Sequence, residues 1–259
     1  MIREKLIDKR IGDDHKFRWR SHEVSRTEGL SDAVFGFAIT LLVVSLEVPK
    51  TYGELMQTMR GFGSFAICFT LLFIVWYNQY KFFRRYGLQD NPTMLLNAIL
   101  LFVVLFYVYP LKFVFTLLVN LFSGGQGEFT QPNGTVGHMV ESNGQLANVM
   151  LIFGAGYVAV FGVFALLYWY AYRRRHDLDL NELEVFDTRV DVSEGVVNVV
   201  IGSISILIAA IGGARFGSYG GFVYMLCPIV LSIHGTVMGR KRRKLASGID
   251  LAQQTTPVV

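Results

Sequence analysis

Long uncharged apolar runs, bracketed by clusters of Lys, Arg, Asp and Glu, set the pattern of this chain and predict helices that cross a bilayer. A charged side chain at the centre of a membrane costs at least about 2.5 kcal/mol, so charge-free gaps locate the spans. Six such gaps emerge: Ala33 to Leu46, Gly61 to Tyr80, Pro92 past Lys112 to Leu121, Leu146 to Tyr172, Gly195 to Ile211 and Tyr219 to Gly239. Most of them approach or exceed the roughly 20 residues that cover about 30 Å of hydrocarbon as a helix. The expectation is an all-α membrane protein with six transmembrane helices over residues 31–239, an N-terminal segment 1–30 and a basic tail 240–259.

Charge then orients the spans. Lys and Arg number 20 in the connections assigned to one side and three on the other, with Lys112 inside the third helix. By the positive-inside rule both termini face the cytoplasm. The first 30 residues hold eight Lys or Arg and no long apolar core, so they do not read as a cleaved secretory signal.

Composition agrees with a bilayer solvent: 52% of residues are hydrophobic and 14% aromatic, more apolar surface than a soluble domain of this size hides. The net charge of +4 carries no nucleic-acid signature, because the basic residues sit at the ends of apolar runs where they meet headgroups. Cys68 and Cys227 lie inside apolar runs, outside any metal-ligand spacing, and read as packing residues. The spans hold no pair of carboxylates, no His pair at ligand spacing and no Gly-x-Ser-x-Gly turn, so no enzyme and no cofactor are expected. Gly154, Gly156, Gly202 and Ser205 suit close helix approach.

The first span is unusual. Its charge-free core is 14 residues long, short for a helix bathed in lipid on all sides. At about 100° per residue, Leu30, Phe37, Leu41, Val44 and Val48 share a stripe about 60° wide, with Thr40 at its edge and Asp32 nearly opposite. Such a stripe serves either packing against neighbouring helices or the lining of a pore.

The string Arg26-Thr27-Glu28-Gly29-Leu30-Ser31-Asp32, followed by Ala38-Ile39-Thr40-Leu41-Leu42-Val43, resembles the opening helix of the transmembrane protein 175 family, endolysosomal potassium channels and their bacterial relatives. The family hallmark is Arg, three residues, then Phe-Ser-Asp; here Leu30 replaces the Phe. The resemblance implies a homotetramer in a bacterial-type plasma membrane, with four copies of the first helix around a central pore and monovalent cations, potassium foremost, as the conducted ions. Matched by position, Phe37, Leu41 and Val44 would form the pore constriction and Thr40 would set ion preference. Phe37 departs from the branched aliphatic usual at the innermost ring, and Gln79 stands where relatives often carry a histidine three residues after the second-helix tryptophan, Trp76.

Apolar rings gate by dewetting, since an ion cannot cross a narrow tube that water has left. Ser31 and Asp32 can act as helix caps. Alternatively Arg26, Ser31 and Asp32 belong to a helix-positioning network with Gln79, Asn97 and His234, all toward the same ends of their spans. His234 also reads as an ordinary satisfied interior histidine. A secondary transporter is the rival function, although no convincing internal repeat supports it.

Overall fold

The computed structural model describes residues 17–21, 23–44, 51–122, 128–130 and 136–255. The helices are α1 Arg26–Val44, α2 Tyr52–Arg60, α3 Phe62–Tyr86, α4 Asn91–Phe122, α5 Asn143–Arg173, α6 Glu182–Phe216 and α7 Leu226–Thr255. A 3-10 segment, Gly217–Met225, joins the last two. Between α4 and α5 a small antiparallel hairpin pairs β1 Glu128–Thr130 with β2 Val136–His138, placing Phe129 opposite Gly137. The Asn133-Gly134-Thr135 triplet of that loop lies outside the described residues.

Local chemistry sets the helix ends. Ser25 and Glu28 form a reciprocal cap at the start of α1: Ser25 N–H donates to Glu28 Oε2 at 2.8 Å and Glu28 N–H to Ser25 Oγ at 3.2 Å. Asn181 and Glu184 repeat the device at α6. Gly87 ends α3 in the left-handed region at φ 60°, which costs glycine little, and its N–H returns to the Phe83 carbonyl.

Four helical stretches, rather than six, are long and apolar enough to cross a membrane among the described residues: Phe62–Tyr86, Asn91–Leu121, Asn143–Arg173 and Glu182–Ile249. The expectation of six transmembrane helices, with the termini placed by that count, is corrected on this ground. Two physical reasons account for the difference. Arg26, Glu28 and Asp32 all fall within α1, so its charge-free part is shorter than a lipid crossing. The expected fifth and sixth spans are not separated by a loop: α6 carries on through the 3-10 segment into α7, bent at Gly213, whose φ of 46° is non-helical.

Packing divides the molecule into two helix groups that meet along α4 and α5. In the first group α1 packs on α3 and α4; in the second α6 packs on α5 and α7. Phe35, Ala38 and Leu42 of α1, Leu72 and Phe82 of α3, Leu100, Val104 and Val108 of α4 and Leu167 of α5 form one buried core. Small residues allow close approach, as their sequence pattern suggested. A Cβ added to Gly156 would run into the Tyr107 ring, and one at Gly202 would lie 2.6 Å from Val158. Ser205 is fully buried and donates to the Gly220 carbonyl at 2.8 Å.

The first helix and the polar contacts that hold it

Around α1 the burial pattern is one-sided. Glu28, Ser31, Phe35, Ala38 and Leu42 are buried at the i, i+3, i+7 spacing of a single helix face. That face meets α3 and α4. The predicted stripe lies about 130° around the helix from it. Leu30 and Phe37 are 61% and 57% exposed, Thr40 is exposed and Leu41 is half-buried. Val44 is the last residue of α1, and its side chain, like Ser45, Glu47 and Val48, lies outside the described residues.

Two sets of hydrogen bonds fix the start of α1. In the first, a buried relay crosses three helices: Gln79 Nε2 donates to Asn97 Oδ1 at 2.8 Å, and Asn97 Nδ2 donates to Ser31 Oγ at 3.0 Å. Ser31 Oγ then donates to the Thr27 carbonyl at 2.8 Å. Each member uses its partner's complementary group, so a polar chain that would be costly unpaired in the interior is satisfied. In the second, Trp76 Nε1 donates to Asp32 Oδ1 at 2.7 Å.

The approach to α1 is clamped as well. Arg18 and Arg20 both reach Glu184, which is 1% exposed at the start of α6, at 3.0 and 2.7 Å. Arg20 also donates through its backbone N–H to the Arg84 carbonyl at 3.1 Å. At the far end Lys112 Nζ donates to the Leu42 carbonyl at 2.9 Å. A cation at the negative end of a helix is favourable in charge as well as hydrogen bonding. Lys112, which the charge pattern places inside a span, thus fastens α1.

Of the residues expected to meet around Asp32, the structure brings together Ser31, Gln79 and Asn97. Arg26 is exposed and makes no hydrogen bond or ion pair among the described residues. His234, half-buried, has its Nε2 2.8 Å from Ser193 Oγ, joining α7 to α6 instead. Ser31 and Asp32 do not cap the helix, because Ser25 and Glu28 do. The Ser-x-x-Glu spacing was a legible signal for that cap.

An aromatic ladder was also missed. Along α3 the rings of Phe62, Phe65, Phe69, Phe73, Trp76 and Tyr80 follow one another with centroids 5.2–6.4 Å apart. Their steps of three and four residues put them on one face, a period visible in the sequence. The ladder ends on Trp19 of the N-terminal segment, 6.3 Å from Tyr80.

Residues 26–107, which carry Ser31, Asp32, Trp76, Gln79 and Asn97, match the protein family described as "Endosomal/lysosomal potassium channel TMEM175". Over 244 residues, 93% of this chain and 98% of its relative, the sequence is 38% identical to a Marivirga tractuosa protein named "Potassium channel". A Streptomyces collinus protein, also named a potassium channel, is 32% identical over 95 residues, 34% of this chain and 46% of that one. Among solved structures, the crystal structure of a variant of the potassium channel MtTMEM175, in complex with a nanobody fusion protein, is similar with a TM-score of 0.75 and 38% identity. That likeness covers 87% of this chain and 97% of the other.

Proposed function

The chain belongs to the TMEM175 family, and we propose that it is a potassium-conducting channel whose pore is lined by α1 from several copies of the chain. It is an integral, multi-pass membrane protein of a channel family, not an enzyme. The potassium reading comes from its relatives, which are named potassium channels.

One observation carries the pore assignment: α1 spends one face on its own chain and leaves Leu30, Phe37 and Thr40 bare on the other. Apolar side chains on an isolated protomer need a cover, and the short helix is poorly suited to lipid on all sides. Four copies turning this face to a common axis satisfy both demands. Phe37, Leu41 and Val44 then form successive apolar constrictions that open by wetting. Thr40 donates its hydroxyl proton to the Phe37 carbonyl at 2.7 Å, so its oxygen lone pairs are left to coordinate a cation or to accept from the cation's hydration water. No cofactor is required; potassium is the conducted ion.

Native mass measurement of the purified protein is expected to give four copies. In liposomes, Phe37→Ala is expected to raise passive potassium flux down its gradient. A monomer, or unchanged flux in a folded Phe37→Ala protein, overturns the assignment. Flux that needs a coupled second ion would point to a transporter.

A further inference from the structure

Between Arg60 and Lys81 the chain has no charged residue, and Phe62 to Tyr80 spans about 28 Å as a helix, close to the thickness of the hydrocarbon core. Lys81, Arg84 and Arg85 therefore stand at headgroup depth. With Trp19, Tyr77 and Tyr80 they line a cavity of about 340 Å³, within the roughly 300–1,000 Å³ common for small-molecule sites.

The charges in this cavity are incompletely answered. Asp191 serves two cations, at 3.3 Å from Lys81 and 2.7 Å from Arg85. Glu28 stands 3.7 Å from Arg84 Nε, and that buried nitrogen has no hydrogen-bond partner among the described residues. The lining itself thus holds three cations and no carboxylate, so its own charge is positive. Both guanidinium groups sit over aromatic rings: Arg84 over the Tyr80 ring at 5.4 Å and Arg85 over Phe17 at 4.6 Å. A guanidinium held over a ring loses less freedom on meeting a phosphate than a free-swinging side chain does.

Directly along α3 from the cavity, the ladder rings Phe69 and Phe73 are exposed. A cationic, aromatic-walled cavity continuous with an exposed apolar strip has the polarity of a lipid molecule, head at one end and tail beside it. We propose that this cavity binds the phosphate headgroup of an anionic membrane phospholipid, with an acyl chain along Phe69 and Phe73. The site rests on membrane residence alone and not on the pore reading. It touches α1 through a short path, because Tyr80 stacks on Trp76 at 5.7 Å and Trp76 holds Asp32.

The test is native mass spectrometry of the full chain with added phosphatidylglycerol, phosphatidylcholine or soluble glycerol 3-phosphate. Phosphatidylglycerol is expected to be retained over phosphatidylcholine, with glycerol 3-phosphate bound weakly. Each cation near an anionic headgroup is worth a factor of about five, so Lys81→Ala with Arg84→Ala is expected to cut the preference by about twenty-five-fold. Tyr77→Ala leaves every ion pair in place and is expected to weaken retention several-fold, which keeps the test open if the double variant does not fold. Equal retention of the two lipids by the native chain overturns the proposal. So does a preference unchanged in the folded double variant, or retention unchanged in Tyr77→Ala where the double variant does not fold. Glycerol 3-phosphate bound as well as the lipid overturns the lipid assignment.

Discussion

Trp76 Nε1 donates to Asp32 Oδ1 at 2.7 Å, so the aromatic ladder of α3 is tied directly to the second turn of α1. Trp76→Phe keeps the ring in the ladder and removes only this donor. A hydrogen bond of this kind contributes about 1 kcal/mol net, and the melting temperature is expected to fall by about 2–4 °C. Asp32→Asn retains an acceptor oxygen and is expected to lose less. Thermal unfolding of both variants in the same detergent distinguishes them.

The Gln79–Asn97–Ser31 relay is buried throughout, and Asn97 is the member with two side-chain partners in it. Asn97→Ala strands the Gln79 amide, and leaving a buried polar group unpaired costs about 1–3 kcal/mol. Ser31→Ala removes a smaller group and leaves the Gln79–Asn97 bond in place. The expected order of stability is wild type, Ser31→Ala, then Asn97→Ala, read from denaturant or thermal unfolding.

Lys112→Met preserves most of the aliphatic stem and deletes the charge that holds the Leu42 carbonyl. The last turn of α1 is expected to open more often while the rest of the fold is retained. Hydrogen exchange at residues 40–44 should speed up by about tenfold, corresponding to about 1.4 kcal/mol of local stability.

Acid should loosen the junction between α4 and α5. Burial raises the proton affinity of Asp90, but hydrogen bonds from Thr93 and Tyr170 and the charge of Arg174 outweigh it and hold the carboxyl below its ordinary range. A depressed carboxylate stabilises the folded state above the ordinary carboxylate pKa of about 3.9 and loses that contribution as pH falls through its own lower value. Melting temperature is therefore expected to decline at acid pH in the native protein. Asp90→Asn should start lower at neutral pH and show a shallower decline.

Charge gaps in the sequence located three of the spans closely: Gly61 to Tyr80 falls inside Phe62–Tyr86 but for its first residue, and Leu146 to Tyr172 falls inside Asn143–Arg173. They also found the core of α4. The same gaps overcounted crossings, because a gap marks where charge is absent and says nothing about whether the helix stops there. Hence Gly195 to Ile211 and Tyr219 to Gly239 appeared separate when the chain stays helical between them. In the candidate site, Ser31 and the bare stripe of Leu30 and Phe37 were legible from periodicity and motif. Side-chain pairing was not: whether Asn97 meets Ser31, or His234 meets Ser193 rather than Asp32, depends on how helices distant in sequence are rotated against each other.

Asn97 grips α1 near its beginning, at Ser31, and Lys112 grips it near its end, at Leu42. The two helices thus run in the same direction, with α4 acting as a splint fastened at both extremities. Sliding α1 along its axis by one turn, about 5.4 Å, would tear both fastenings at once. A swing of α1 and α4 as a single rod keeps both fastenings but must carry α3 with it, because Gln79 and Trp76 bind the rod to that helix.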